Sequence, residues 1–335
     1  MLFYAGLAAS PRLFGYNEDI VISNGFLELP DDISGVEVQW NYFLVWKGTE
    51  LFISGNFGVG DEIRQLALTE GNEEKFTLAF PDKESVTIVS STHRIWQYKI
   101  YESQWRQVDN FLPTNDENLD EFITKIDKNS SVVALTNLGR IFNIPNLIDM
   151  PKRVKFVDVA CGFDHSIILA DNGDVYSMGM GTRGQLGHGD LEDCDEPTLI
   201  EALAGLNVIQ IAAGGWHNAA LTNDGDVYIW GWNSSGELGV ASDQKVIAVP
   251  TVVDFTTDDG DMNEPMKKVQ CGNNFTICLS NEGTLWGAGC NKYGQLGRSE
   301  RSSENKNFIK LPTNFGSKRI VDVICNEWGS VLNVQ

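Results

Sequence analysis

A unit of about 50 residues recurs along this chain, and a recurrence of that length leaves few folds open. Its clearest copy runs from Val208 to Gly239, VIQIAAGGWHNAALTNDGDVYIWGWNSSGELG. A β-rich run, Val208–Ala213, reaches a Gly-Gly-Trp-His corner. A second apolar run, Asn218–Thr222, meets the turn Asn223-Asp224-Gly225, a third run follows over Asp226–Gly231, and the unit closes on Gly236-Glu237-Leu238-Gly239. Asn and Asp tolerate positive φ and Gly takes it freely, so Asn-Asp-Gly between two β-rich runs marks a hairpin. Copies lie at Val157–Gly187 and Val269–Gly297, and the turn glycines Gly173, Gly225 and Gly283 stand 52 and 58 residues apart. One small sheet cannot bury both of its faces alone, so repeats of this kind stack around an axis as propeller blades.

The first half of the chain carries the same pattern in eroded form. Val36–Gly55 has a run, a corner, a second run, a turn at Lys47-Gly48 and a third run. Val86–Tyr98 resembles another copy with its turn at His93-Arg94, and Ile123–Asn143 a third with its turn at Asn137-Leu138-Gly139. Repeat starts near 36, 86, 124, 157, 208, 269 and 321 give seven. The last stops after its second run, and Phe3–Gly6 followed by Leu13-Phe14-Gly15 reads as its missing half. The expectation is an all-β chain, a single seven-bladed β-propeller over residues 1–335, with residues 1–15 completing the C-terminal blade. That clasp removes the open sheet edges that invite aggregation.

Composition narrows the function. A formal charge of −21 and a pI near 4.5 repel phosphate backbones, so no direct nucleic-acid binding is expected and a basic protein partner is suited. No apolar run reaches 18 residues, so no membrane span is expected, and Met1–Ser10 lacks the basic start of a secretory signal. The six cysteines show no Cys-x-x-Cys spacing. Cys161, Cys271 and Cys325 share one repeat position with Ala213 and read as core filler, which fits a reduced nuclear or cytoplasmic setting rather than a secreted one.

Catalytic and cofactor motifs are missing from the sequence. Gly184-Gln185-Leu186-Gly187 and Gly294-Gln295-Leu296-Gly297 lack the Gly-Lys-Ser/Thr of a phosphate loop and read as tight inter-blade connections. Neither a Gly-x-Ser-x-Gly nor a His-Glu-x-x-His pattern occurs, and Asp258-Asp259-Gly260-Asp261 lacks the distant Glu of a calcium loop. His165 and His217 share a repeat position with Phe275 and Gly329, a set no catalytic imidazole would tolerate, so they read as structural. His93 and His188 sit in turns. The chain is read as a non-enzyme with no cofactor and no metal.

In a propeller, equivalent corners emerge on one face. Aligning Cys161, Ala213, Cys271 and Cys325 places Phe163-Asp164, Gly215-Trp216, Asn273-Asn274 and Glu327-Trp328 together, with Tyr42-Phe43 joining from the first repeat. Phe163, Asp164, Trp216, Asn274, Glu327 and Trp328 are therefore the candidate partner site, since exposed aromatics beside charge are interface chemistry and turn geometry alone does not need them. Second candidates are the acidic connections, Asp190, Glu192 and Asp193 in one and Asp258, Asp259 and Asp261 in another. The long connection Tyr101–Phe122 is acidic and turn-rich as well.

The spacing Cys161-Gly162-x-Asp164-His165-Ser166-x-x-Leu169, then Asn172-Gly173-Asp174-Val175-Tyr176, then Gly184-Gln185-Leu186-Gly187-His188-Gly189 resembles the regulator of chromosome condensation family, seven-bladed propellers with about this repeat. The resemblance is strong over Val157–Gly297 and faint before residue 140. The short length, the eroded first half and the runs Ala213–His217 and Ile229–Asn233 most resemble a small member of that family. This implies chromatin association and a histone-demethylase complex with a JmjC-type oxygenase, and the acidity adds basic histone segments as partners. Exchange-factor members grip a small GTPase on the corner face with acidic and His residues. Only Asp164 fits that role here, while Trp216, Asn274 and Trp328 depart from it. The reading is a non-enzymatic protein-binding adaptor, with guanine-nucleotide exchange as the alternative.

Overall fold

In the computed structural model, which describes residues 1–8, 10–15, 21–22, 25–56, 61–68, 74–108, 121–128, 132–151, 154–255, 264–302 and 304–335, the repeats become seven antiparallel sheets. Blade five shows the plan: Val208–Ala213, His217–Thr222, Val227–Trp232 and Val246–Val253 pair in sequence order, with Ala212 opposite Ala219, Ala219 opposite Ile229 and Ile229 opposite Thr251. Each second strand is sandwiched between neighbouring blades. His165–Ala170, His217–Thr222 and Phe275–Ser280 are buried at every position, which is why they read as continuous runs rather than alternating ones.

Blade-opening strands begin at Gly35, Phe76, Ile123, Phe156, Val208, Met266 and Ile320. One expected start differs by a whole strand: Ser85–Ser90 is the second strand of its blade, and the first is Phe76–Pro81. The seventh blade pairs Ile320–Asn326 with Gly329–Val334, and Leu2–Ala8 then pairs with the latter, Phe3 opposite Leu332 and Ala5 opposite Ser330. The Met1 ammonium also donates to the Val334 carbonyl at 3.0 Å. The clasp extends past residue 15, because Val21–Ile22 and Leu27–Glu28 both pair with Leu2–Ala8 and fill the outer position.

The closing loops seal neighbouring blades. Leu186, Leu238 and Leu296 are buried. The Gln185 carbonyl accepts from Asn218 Nδ2 (2.7 Å) and Trp230 Nε1 (2.9 Å) of blade five, and the Gln295 carbonyl accepts from Ser330 Oγ of blade seven (2.7 Å). Ion pairs Lys125–Asp158 and Lys268–Asp322 stitch adjacent inner strands.

Candidate partner-binding face

The corners form a hydrogen-bonded arc around one mouth of the ring. The Phe163 N–H donates to the Gly215 carbonyl (3.0 Å), the Gly215 N–H to that of Asn273 (2.9 Å), and the Asn273 N–H to that of Glu327 (3.1 Å). A Cβ at Gly162, Gly214 or Gly272 would overlap the ring of His165, His217 or Phe275, so the glycine and the aromatic that follows it are one device. His165 Nε2 meets Asn218 Oδ1 at 2.8 Å and His217 Nε2 meets Thr276 Oγ1 at 2.9 Å, each across a blade boundary. Burial pushes His165 down to about 4 and His217 to about 3, so both stay neutral and structural at physiological pH. In blade seven the place of the imidazole is empty at Gly329, and Tyr4 of the clasp fills it. A Cβ on Gly329 would collide with the Tyr4 ring.

Phe163 is 37% exposed, and Asp164, Trp216, Asn274, Glu327 and Trp328 are half-buried. The structure brings Phe163 and Trp216 together edge to face at 5.4 Å, with Asp164 beside Phe163 in the same corner. Each of the three later corners packs on the closing loop of the preceding blade. The Arg183 guanidinium lies 4.1 Å from the Trp216 ring, Asn274 Nδ2 donates to Ser235 Oγ at 3.5 Å, and Trp328 meets Tyr293 edge to face at 5.4 Å. Arg183, Ser235 and Tyr293 occupy one position of their loops, two residues before Gln185, Glu237 and Gln295. Large meets large and small meets small. Asn274 therefore lacks an aromatic because its partner is Ser235, and the tryptophans at the other two corners have a packing role of their own.

Tyr42 and Phe43 do not join this face: both are fully buried in a second strand, where the Tyr42 hydroxyl donates to the Asp82 carbonyl (2.6 Å). The first corner is Trp40-Asn41, because the Gln39 N–H bonds the Tyr42 carbonyl as the Gly162 N–H bonds that of His165. Trp40 is 49% exposed, and Asn41 Nδ2 donates to the hydroxyl of Tyr101, itself 60% exposed. Aligning Val38 with Cys161 would have found Trp40 opposite Phe163; reading Tyr42 as a corner residue shifted the repeat by two.

Asp190, Glu192 and Asp193 are exposed in the connection between the third and fourth strands of blade four, which opens on the corner side. Asp193 Oδ1 accepts the Gly181 N–H at 2.8 Å. Asp258, Asp259 and Asp261 lie outside the described residues. A central channel of about 410 Å³ is lined by the first strands of the blades. Burial there pushes Glu37 up to about 7, with repulsion from Asp127 adding to it, and pushes Asp127 to about 6. Cys161, Cys271 and Cys325 line the same channel; burial pushes Cys271 up to about 12, so it packs as a neutral thiol. Among the described residues no three His, Cys, Asp or Glu side chains are grouped to hold a metal, and no helix is long and apolar enough to cross a membrane.

The regulator of chromosome condensation (RCC1) repeat model matches residues 172–221, 224–279 and 282–332, and a second model of that repeat matches 156–185, 208–237 and 266–295. The human RCC1 domain-containing protein 1 is 35% identical over 174 residues, 42% of this chain and 46% of the relative. The Arabidopsis thaliana ultraviolet-B receptor UVR8 is 40% identical over 147 residues, 44% of this chain and 32% of the receptor. The chain thus spans less than half the length of these curated relatives. Human WBSCR16 superposes with a TM-score of 0.78 at 17% identity, covering 100% of this chain and 99% of that one. Saccharomyces cerevisiae Prp20p, described with its binding properties to Gsp1p and histones, superposes with a TM-score of 0.77 at 16% identity, covering 99% and 91%.

Proposed function

Because this chain belongs to the regulator of chromosome condensation (RCC1) repeat family, we propose that it is a non-enzymatic adaptor, nuclear or cytoplasmic, that binds a protein partner on its corner face. The observation that carries the proposal is the set of aromatics on that one face: Trp40 and Tyr101 are the most exposed, while Phe163, Trp216 and Trp328 add half-covered rings beside Asp164 and Glu327. Interfaces draw most of their energy from such rings where they become fully desolvated. The partner that the family resemblance implies is a JmjC-type oxygenase in a histone-demethylase complex on chromatin, and the net charge of −21 suits histone tails as a further partner.

Trp40→Ala tests binding at the smallest cost to folding, because Trp40, 49% exposed, has less packing to lose than the half-buried Trp216 or Trp328. It should lower the melting temperature less than Trp216→Ala does and weaken binding of a captured oxygenase by about 2 kcal/mol, roughly thirtyfold. Trp216→Ala, which also strips Arg183 and Phe163 of their contact, should lower both stability and affinity. Unchanged binding in Trp40→Ala, Tyr101→Ala and Trp216→Ala alike would remove the corner face from consideration. The alternative, nucleotide exchange on a small GTPase, is favoured by Asp164, partly exposed on the same face. An adaptor leaves nucleotide release from the GTPase unchanged; acceleration that Asp164→Ala abolishes would reverse the order of the two readings.

A further inference from the structure

Charge and shape coincide on the side wall of the ring between blades four and five. The stretch Gly187–Ala202 there carries six Asp and Glu and no Lys or Arg. On that wall a cleft of about 550 Å³ opens between the outer strands Cys194–Leu199 and Val246–Val253. Asp190, Glu192, Asp193 and Glu201 rim it, Leu199 and Val249 give it an apolar floor, and no Lys or Arg lines it. Among the described residues none of these four carboxylates is in an ion pair. The walls are fixed relative to each other, since the Gly189 N–H of the blade-four loop donates to the Ala248 carbonyl of blade five at 3.0 Å. Val249 is left 46% exposed and Leu191, in the rim loop, 48%.

An apolar floor inside an uncompensated acidic rim repels anionic surfaces, whether nucleic acid or lipid headgroups, and suits a cationic chain with one aliphatic side chain to bury. We propose that this cleft docks an extended Lys/Arg-rich segment of a partner protein, with an aliphatic residue of that segment seated on Leu199 and Val249. The site shares no residue with the aromatic patch at the corners and does not depend on that reading. It gives the ring a second docking surface, so that one body can hold two proteins at once.

The probe is a fluorescein-labelled Lys/Arg-rich peptide with one central Leu, followed by anisotropy on the full chain. The double charge reversal Glu192→Lys with Glu201→Lys is expected to weaken binding about tenfold or more. The same reversal at Glu28 and Asp31, exposed near the clasp, should change it by no more than about twofold, as long-range screening dictates. Replacing the central Leu by Ser should weaken binding several-fold, and bound peptide should slow alkylation of Cys194, which lines the cleft, but not of Cys161 in the central channel. Trp40→Ala should bind the peptide as the unmodified chain does, whatever becomes of the corner-face partner. Equal losses from the two charge reversals, or an unprotected Cys194, would mean that the peptide only follows the net charge, and the cleft would be rejected.

Discussion

Glu237 stands where two other blades use glutamine, and the comparison isolates what one carboxylate does to the ring. In each closing loop the side-chain oxygen accepts a backbone N–H two residues earlier: Gln185 from Arg183 (2.8 Å), Glu237 from Ser235 (2.6 Å) and Gln295 from Tyr293 (2.9 Å). All three side chains are buried. A glutamine serves this purpose uncharged, whereas burial pushes the Glu237 carboxyl up from 4.5 to about 7. A folded-state value raised above the unfolded one means that the folded protein binds the proton more tightly. The resulting stability is present below about pH 4.5 and is lost as pH rises through about 7. Glu237→Gln keeps the acceptor and removes the charge. It should therefore stabilise the ring above pH 7 by about 2–3 kcal/mol and leave it nearly unchanged at pH 4.5. Urea unfolding of both proteins at pH 4.5 and pH 8 checks this; an equal shift at the two pH values would show that the effect is not ionisation.

At the scale of strands, closure rests on Leu2–Ala8 and especially on Tyr4, which is fully buried, takes the space left by Gly329, stacks edge to face on Phe43 of blade one at 5.2 Å and donates to the Leu7 carbonyl at 2.6 Å. Tyr4→Ala should cost about 3–5 kcal/mol, as large-to-small changes in cores do. Tyr4→Phe keeps the ring and should cost about 1 kcal/mol for the lost hydrogen bond. Removing residues 1–15 should abolish cooperative melting of the whole ring; a truncated chain that melts like the full one would show that the seventh blade closes without its clasp. Blades four to six were legible in the sequence because each announces itself with a corner glycine, an aromatic or His three residues on, and a turn glycine. Blade two was misplaced by a strand because Asp82 and Ser85 stand where that glycine and His would be, leaving Phe76–Pro81 unmarked. The matched corner contacts were not legible, since Trp216–Arg183 and Trp328–Tyr293 join residues of different blades and nothing in local spacing couples them.

At the scale of the whole ring, burial of ionisable groups works in two opposite directions, and their balance sets the pH of greatest stability. Glu37 and Glu237 are pushed to about 7 and Asp127 to about 6, so each stabilises the folded protein least once ionised. Their contribution falls as pH rises from about 3.8 to 6 for Asp127 and from about 4.5 to 7 for the two glutamates. His165 and His217 are pushed the other way, to about 4 and about 3. Their folded values lie below the unfolded 6.5, so the stability they confer is present above about pH 6.5 and is lost as pH falls through 4 and 3. Below about pH 4 the histidine effect dominates, joined by that of Asp32, Glu74, Asp243 and Glu264, whose folded values lie below the unfolded ones; above about pH 6.5 the raised carboxylates dominate, and the self-repulsion of a net charge of −21 adds to them. The melting temperature should therefore peak on the acid side of neutrality, between about pH 4.5 and 6.5, and fall in both directions. Thermal melts across pH 3 to 9 at constant ionic strength test this. The His217→Gln variant should flatten the acid limb and Glu237→Gln the alkaline one; a maximum at or above pH 8 would mean that the channel and loop carboxylates ionise without penalty in the folded ring.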